Sequence, residues 1–460
     1  MEPQTHTSDN NNSYSGQASL ALIGQRFQAL RIWPVVEKEV QIAQKVRQHR
    51  PLDKLLDLFI TLLAGGVGVV EVNTRVRPDQ VVQRSFGRQA CAEQSTISDT
   101  LDACTIGNVA QLRTALGAIM QQHSRSMRHD PTRGLLRLDV DMMGLPTNRQ
   151  GEGVCKGYFG THRAHRGRQI GRVVASDYDE IVAERLYDGA RQLERSLPEL
   201  VEAAEQVLQL DQALGTTRPN GLICRENTLV CVDAGGGSDC DIDWLLARRY
   251  WVLTKVHSWQ RARRLARSVS HWYIDPKQPQ RQVGWPTLPH HYLTPTRQLS
   301  LDWVDERGKH HYAALVSNLS DEQLCHLLGR PTIPDAAHVA PWLMLHAYDT
   351  RGGGVETQNR ADQQGLGLAH RHKRSFAAQE MLMLLTHLAH NFVIWMRDEL
   401  AATDVRFTHY GVKRMVRDVF QIDGRVIFDD HGHMTTIELN PRHALAAAVQ
   451  AAFPLVMDEM

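Results

Sequence analysis

The 460-residue sequence has little cysteine. Its seven cysteines (Cys91, Cys104, Cys155, Cys224, Cys231, Cys240 and Cys325) are odd in number, and no two have zinc-ribbon spacing. That excludes a disulfide-stapled scaffold and a structural zinc module, and leaves reduced, mostly buried thiols as the expectation. The chain also lacks an uninterrupted apolar run. Its best candidate, "LLDLFITLLAGGVGVVEV" (55–72), contains Asp57 and Glu71 and is broken by Gly65-Gly66. A bilayer span needs about 20 apolar residues, so a buried helix and turn is expected here and no membrane partner. No basic-then-apolar signal segment opens the chain, which sets the expectation of a cytoplasmic protein. No internal repeat is visible.

A dominant charge of one sign is missing too, since the formal net charge is only +1. The charges are nevertheless segregated. "KGYFGTHRAHRGRQIGR" (156–172) has five Lys/Arg and no acid, and "RRYWVLTKVHSWQRARRLAR" (248–267) has seven and none. "HRHKR" (370–374) and "GVKRMVR" (411–417) repeat the theme. One such run is usually a solvated face. Four in a nearly neutral protein point to a polyanion gripped at several places.

With 42% hydrophobic and 22% charged residues, the composition is that of a globular chain large enough for two or three structural units. Residues 1–18, which include "MEPQTHTSDNNNSYSG", are too polar to pack and are expected to be disordered. Residues 19–128 read as a helical domain, with apolar spacings of three and four in "LDKLLDLFITLL" and "VAQLRTALGAIM". Inside it, Ser95 and Thr96 of "EQSTISDTLDAC" stand where an N-cap would open a short helix. A helix-turn-helix reader and an ordinary helical hairpin both fit that stretch.

The period then changes. "GLLRLDVDM" (134–142) alternates, with Leu136, Leu138 and Val140 on one face and Arg137, Asp139 and Asp141 on the other, which predicts a strand ending in two acids. "RQIGRVVASD" (168–177), "NTLVCVDAGGG" (227–237) and "YWVLTKV" (250–256) read as further strands, with a mostly helical stretch after the second. Residues 129–256 are thus the first part of an α/β core. Residues 257–340 have Pro- and Gly-punctuated alternation and are expected to be a mainly β insertion. Residues 341–460 would complete the core, with "SFAAQEMLMLLTHLAHNFVIWMRDEL" (375–400) as a helix buried on all sides.

A carboxylate at the C-terminal end of a strand in such a sheet points into the crevice where ligands bind. Asp233 follows an apolar strand and precedes three glycines that let backbone or ligand approach closely, although an Asp before glycines also serves as a plain turn residue. Asp141 stands similarly. Glu356, just past Gly352–Gly354, opens a short predicted helix. Three such carboxylates suit a pair of magnesium ions about 4 Å apart, which clamp the attacking and departing oxygens of an in-line phosphoryl displacement.

The order strand-Asp, strand-Asp, β insertion, then Tyr, two residues, Arg and a helical Glu resembles the DDE transposases of bacterial insertion sequences, in the branch whose ribonuclease-H-like core is interrupted by a β-strand domain. The matching segments are "LLRLDVDMMGLP", "LVCVDAGGG", "YDTRGGGVETQNRADQQGLGL" and "AQEMLMLLTHLAHNFVIW", with looser matches in "EQSTIS" and "GVKRMVRDVF". The acids are separated by 92 and 123 residues, and the resemblance runs from about residue 50 to 450. It implies an α/β fold: a ribonuclease-H-like mixed sheet flanked by helices, with an N-terminal helical domain and the β insertion. It implies Asp141, Asp233 and Glu356 as catalytic metal ligands, with Asp139 a rival for Asp141. Two Mg2+ ions would be the cofactor, and Mn2+ a substitute. The partners would be double-stranded DNA, as terminal inverted repeats and target, and a second copy of the chain in the synaptic complex. The location would be the bacterial cytoplasm, at the nucleoid when bound.

The resemblance makes Tyr348 and Arg351 contacts near the scissile phosphate, a role that suits a forked guanidinium and a phenol. The chain departs from the family pattern in three places. Four residues separate Arg351 from Glu356, where the family has three. Gln363 stands where Lys is typical, which leaves Arg360 or Lys373 to supply that contact. "DMM" follows the first acid without the usual Thr. Lys156, Arg163, Arg166 and Arg168 would grip backbone phosphates beside Asp141. Trp259 and Trp272 would stack on an unpaired base or simply pack.

Three functions follow in order: a transposase, a DNA-binding protein derived from one whose catalysis has lapsed, and a sugar hydrolase with paired acids. The last leaves the basic islands without a use. The nuclease reading requires the three acids to converge within about 4 to 8 Å, on a pocket not filled by an arginine locked in salt bridges.

Overall fold

The computed structural model describes residues 12–157, 159, 165–210, 223–329, 340–353, 355–429 and 433–454. The strands in chain order are β1 (Asn12–Ser15), β2 (Leu136–Pro146), β3 (Cys155–Lys156), β4 (Arg166–Ala175), β5 (Glu180–Asp188), β6 (Thr228–Val232), β7 (Trp251–Lys255), β8 (Tyr273–Asp275), β9 (Gln278–Gly284), β10 (Arg297–Val304), β11 (His310–Ser317), β12 (Gly424–Phe428) and β13 (Met434–Leu439). The chain divides into two compact units: Met1–His123 with Arg149–Glu152 and Gln358–Met460, and Ser124–Asn148 with Gly153–Thr357.

The first unit is mainly helical. Its spine is the helix Phe376–Thr403, opened by the Ser375 hydroxyl, which accepts from the Ala378 N–H. As the sequence predicts, that helix is buried nearly all round from Ala377 to Arg397. Its neighbours within this unit are the N-terminal helices. Phe392 meets Phe27 edge-on at 5.3 Å and lies 6.1 Å from Phe59 of helix Pro51–Leu63. The expected division into a separate N-terminal domain therefore gives way to one core shared by both ends of the chain, because an all-apolar helix needs apolar partners on every side. Residues 12–18 of the polar start adopt regular structure that their composition does not suggest, and residues 1–11 lie outside the described residues. Asn12–Ser15 pairs antiparallel with β12, which pairs with β13, so backbone hydrogen bonds anchor a segment with little to bury.

The second unit is built on one ten-stranded mixed sheet in the order β3-β4-β2-β6-β7-β11-β10-β9-β8, with β5 also pairing with β4. Strands β5, β4 and β2 are successively antiparallel, whereas β2, β6 and β7 are parallel. The β6–β7 crossover is the helix Asp239–Ala247, capped by Ser238. Residues 257–340 do not form a module of their own. Their strands β8–β11 continue the sheet, because β11 pairs antiparallel with β7. The reason is visible in β7, whose Val252, Leu253 and Thr254 are all buried, so its second edge needs a partner to satisfy its backbone groups.

One face of this sheet carries Leu229, Cys231, Leu253, Leu299 and Leu315, packed against Leu343, Met344 and Ala347 of the helix Ala340–Asp349. That packing fixes where the chain emerges into the next segment, Tyr348 to Glu356. Full burial of each such aliphatic side chain contributes roughly 1.5–3 kcal/mol, ample to hold a ten-residue helix in place.

Candidate functional site

The site grows from strand register. Val140 pairs with Val232 across the parallel β2–β6 contact, and Val232 pairs with Thr254 across β6–β7. The next residues in line are Asp141, Asp233 and Lys255. Because Asp139, Cys231 and Leu253 are partners in the same register, all three next residues project to the face that the helix Ala340–Asp349 covers. Strand β2 itself runs on to Pro146 against β4, so Asp141 marks the end of its parallel pairing rather than of the strand.

Glu356 arrives from elsewhere in the chain. It lies in the first turn of the helix Val355–Gly365, as the sequence predicts, and its neighbour Val355 is fully buried against Val174 and Ile181 of β4 and β5. Val174 pairs with Asp139, so this anchor stands on the acid-bearing face of the sheet. Glu356 itself remains open to solvent, with 56% of its side chain exposed.

Between the acids stands Arg351. Only 5% of it is exposed, with Nη2 3.5 Å from an Asp141 oxygen and Nη1 3.6 Å from a Glu356 oxygen. Its hydrogen bond goes elsewhere: Nη2 donates to the Val140 carbonyl at 2.9 Å. Nε is buried without a hydrogen-bond partner among the described residues. Burial works against the guanidinium's charge, but Asp141, Asp233 and Tyr348 outweigh it and hold the proton more tightly than usual. Burial pushes the Asp141 carboxyl up to about 6; Arg351 opposes that rise, while Asp233 and Glu356 add to it. Burial likewise raises the Tyr348 phenol. Arg351 thus lies within 3.6 Å of both Asp141 and Glu356, so an arginine occupies the space beside these two acids, at distances longer than hydrogen bonds.

Carboxylate oxygens are the right donors for magnesium. Their positions do not fit it as they stand: among the described residues no three Asp, Glu, His or Cys side chains are gathered closely enough to hold a metal ion. Asp233 also has a local job, because its side chain accepts from the Gly235 N–H at 2.8 Å and caps the turn Ala234–Gly236. The glycines serve a backbone approach: a Cβ on Gly237 would fall 1.8 Å from the Lys255 carbonyl oxygen. His257 seals the turn by donating its N–H to the Gly237 carbonyl at 2.9 Å.

Asp139 is not an open ligand. It is fully buried, 3.1 Å from Arg137, and accepts from the Ser176 hydroxyl. Several expected DNA contacts are likewise engaged or buried. Arg168 is 1% exposed, because β4 lies inside the sheet between β2 and β5. Lys373 donates to Ser98 Oγ and Asp102, both at 2.7 Å, within the helical unit. Ser95 and Thr96 lie inside the helix Gln94–Asp102 rather than ahead of it, and Thr96 Oγ donates back to the Glu93 carbonyl. Arg360 is exposed and Gln363 half-buried on the part of helix Val355–Gly365 that belongs to the helical unit. Lys156 and Arg166 are exposed, whereas Arg163 falls outside the described residues. Trp259 is 65% exposed at the start of the helix Trp259–Arg267, beside exposed Arg263, Arg264 and Arg267; Trp272 is half-buried.

Lys255 is the member of the row that sequence reading passed over. It was visible only as one charge in a basic run, and its neighbours become apparent only once β7 is placed beside β6.

No protein-family model matches the chain, and no curated protein does either. Among solved structures, it is similar to a piggyBac transposase in a synaptic complex with hairpin DNA. That similarity has 13% identity and a TM-score of 0.43, over 89% of this chain and 80% of the other. A likeness that loose assigns neither a fold nor an activity. Among the described residues no helix is long and apolar enough to cross a membrane.

Proposed function

We propose that the protein is a DDE-type transposase that cuts and joins DNA at the ends of an insertion sequence, with Asp141, Asp233 and Glu356 as its acidic set. The observation that carries this reading is the register: two acids occupy adjacent positions on one face of neighbouring parallel strands, and a third, 123 residues away in sequence, is drawn towards them through Arg351. The order β5-β4-β2-β6-β7, antiparallel and then parallel, supports a ribonuclease-H-like core. The basic helix led by Trp259 supports a nucleic-acid surface.

Arg351 is then a counter-charge for the unloaded site. Its contacts with the carboxylates are longer than hydrogen bonds, and an attraction of about 4 kcal/mol is typical of charges 4 Å apart near a protein surface. A phosphodiester offers it a bidentate partner instead. Double-stranded DNA and a second copy of the chain remain the partners of this reading, and magnesium or manganese its cofactor, with Arg351 required to withdraw before the acids can be loaded.

A second reading has its own support. If Arg351 stays where it is, the protein is a transposase-derived DNA-binding protein whose catalysis has lapsed, in keeping with the lack of a three-ligand metal group among the described residues. Supercoiled plasmid incubated with purified protein and Mg2+ or Mn2+ separates the two. Nicking that is abolished by chelator, by Asp233→Ala and by Glu356→Ala supports the enzyme. Plasmid retardation that persists in chelator, without nicking in either metal, supports the lapsed protein.

A further inference from the structure

Lys255 ends β7 in the same row as Asp141 and Asp233. It is half-buried, and its ammonium group makes no hydrogen bond or ion pair among the described residues. The amine lies 5.6 Å from the centroid of the Trp303 ring on β10. An ammonium over an aromatic face gains a modest attraction but no hydrogen bonds. Its three donors are therefore left for another partner.

The surroundings confirm that this is a charge held at some expense. Burial lowers the lysine's hold on its proton, and Asp233 and Asp349 oppose that effect without pairing with it. Asp349 spends its own oxygens on Arg281, at 2.6 and 3.1 Å. Trp303 is itself stacked on His311, with centroids 5.5 Å apart and planes 19° from parallel, so the ring under the amine is braced. The Asp233 turn is pressed on Lys255 by glycine packing. A positioned, unpaired cation at the rim of an acidic set is suited to an anion that the set itself would repel.

Resting on the transposase reading, we infer that Lys255 is a further catalytic residue, which contacts a non-bridging oxygen of the phosphodiester presented to Asp141 and Asp233. No bond to the lysine forms or breaks. It stabilises the added negative charge as the phosphorus is attacked.

The test compares wild type, Lys255→Gln, Lys255→Arg and Asp233→Asn in supercoiled-plasmid nicking with Mn2+, and in binding of a fluorescein-labelled 30-bp duplex over a range of salt. Lys255→Gln should slow nicking on the order of a hundredfold, while duplex affinity falls less than about tenfold and the salt slope shrinks by roughly 0.9. Lys255→Arg, which keeps the charge, should recover much of the rate, and the reduced salt slope of Lys255→Gln is the readout that a lysine serving only to pack on Trp303 would not move. Nicking by Lys255→Gln within twofold of wild type overturns the assignment, as does an unchanged salt slope. Failure of the underlying reading looks different: Asp233→Asn would then nick as well as wild type, or wild type would not nick at all, in which case the salt slope alone decides whether Lys255 touches phosphate.

Discussion

Asp139 and Asp141 stand two residues apart on one face of β2, and each has an arginine. Arg137 and Asp139 are both at least nine-tenths buried and 3.1 Å apart, with Ser176 donating to the acid and Thr350 accepting from the base at 2.7 Å. Arg351 and Asp141 are 3.5 Å apart and lie beside a Glu356 that is largely exposed. The inner pair is complete, with its donors and acceptors matched. In the outer one the guanidinium Nε is buried without a hydrogen-bond partner among the described residues, and burial pushes up the Asp141 carboxyl. Groups left in that state are expected where a ligand completes them.

The largest effect that would sharpen this contrast is on activity. Asp141→Asn should reduce plasmid nicking on the order of a thousandfold, with little change in urea midpoint, because burial already disfavours its charge. Asp139→Asn should do the reverse in kind. It strands Arg137 without its counter-ion and should cost about 3–5 kcal/mol in a urea titration. If both variants lose stability equally, the inner and outer pairs are the same sort of feature and the contrast fails.

Smaller effects probe the frame of the outer pair. Gly237→Ala forces a methyl against the Lys255 carbonyl and should destabilise by about 1–3 kcal/mol, visible as a lower denaturant midpoint together with slower nicking. A midpoint unchanged by the substitution would mean that the Asp233 turn is free to move. Trp259→Ala is expected to change stability by no more than about 0.5 kcal/mol, since the ring is mostly in solvent. It should still weaken binding of single-stranded oligonucleotide by about 1–3 kcal/mol if a base stacks there.

Part of the second unit was legible in the sequence because β6, a short β-branched run, is closed by Asp233 and glycines, whereas β5 (Glu180–Asp188) was not read as a strand. The acid-ended strand reading of 227–237 and the helical start at Glu356 both follow local pattern, and both agree with the fold. What was hidden depends on pairing between distant segments. Nothing in "HYAALVS" says that it will pair with β7, so 257–340 reads as a separate insertion when it is the far half of one sheet. The helix at 375–400 advertises its burial but not its partners, so its place among the N-terminal helices was lost. Asp139 and Asp141 look alike in alternation, and only the positions of Arg137, Ser176 and Arg351 tell them apart. Arg168 and Lys373 look like free cations until strand order and helix packing bury the first and engage the second.

On the transposase reading, Asp141, Asp233 and Glu356 form one acidic site that Arg351 closes in the absence of DNA. Calorimetric titration of Mn2+ into wild-type and Arg351→Gln protein, without DNA, tests it most directly. Losing even part of a contact worth about 4 kcal/mol should tighten binding about tenfold or more in Arg351→Gln, and adding Asp233→Asn to that variant should remove the gain. Equally weak binding by wild type and Arg351→Gln would contradict the claim.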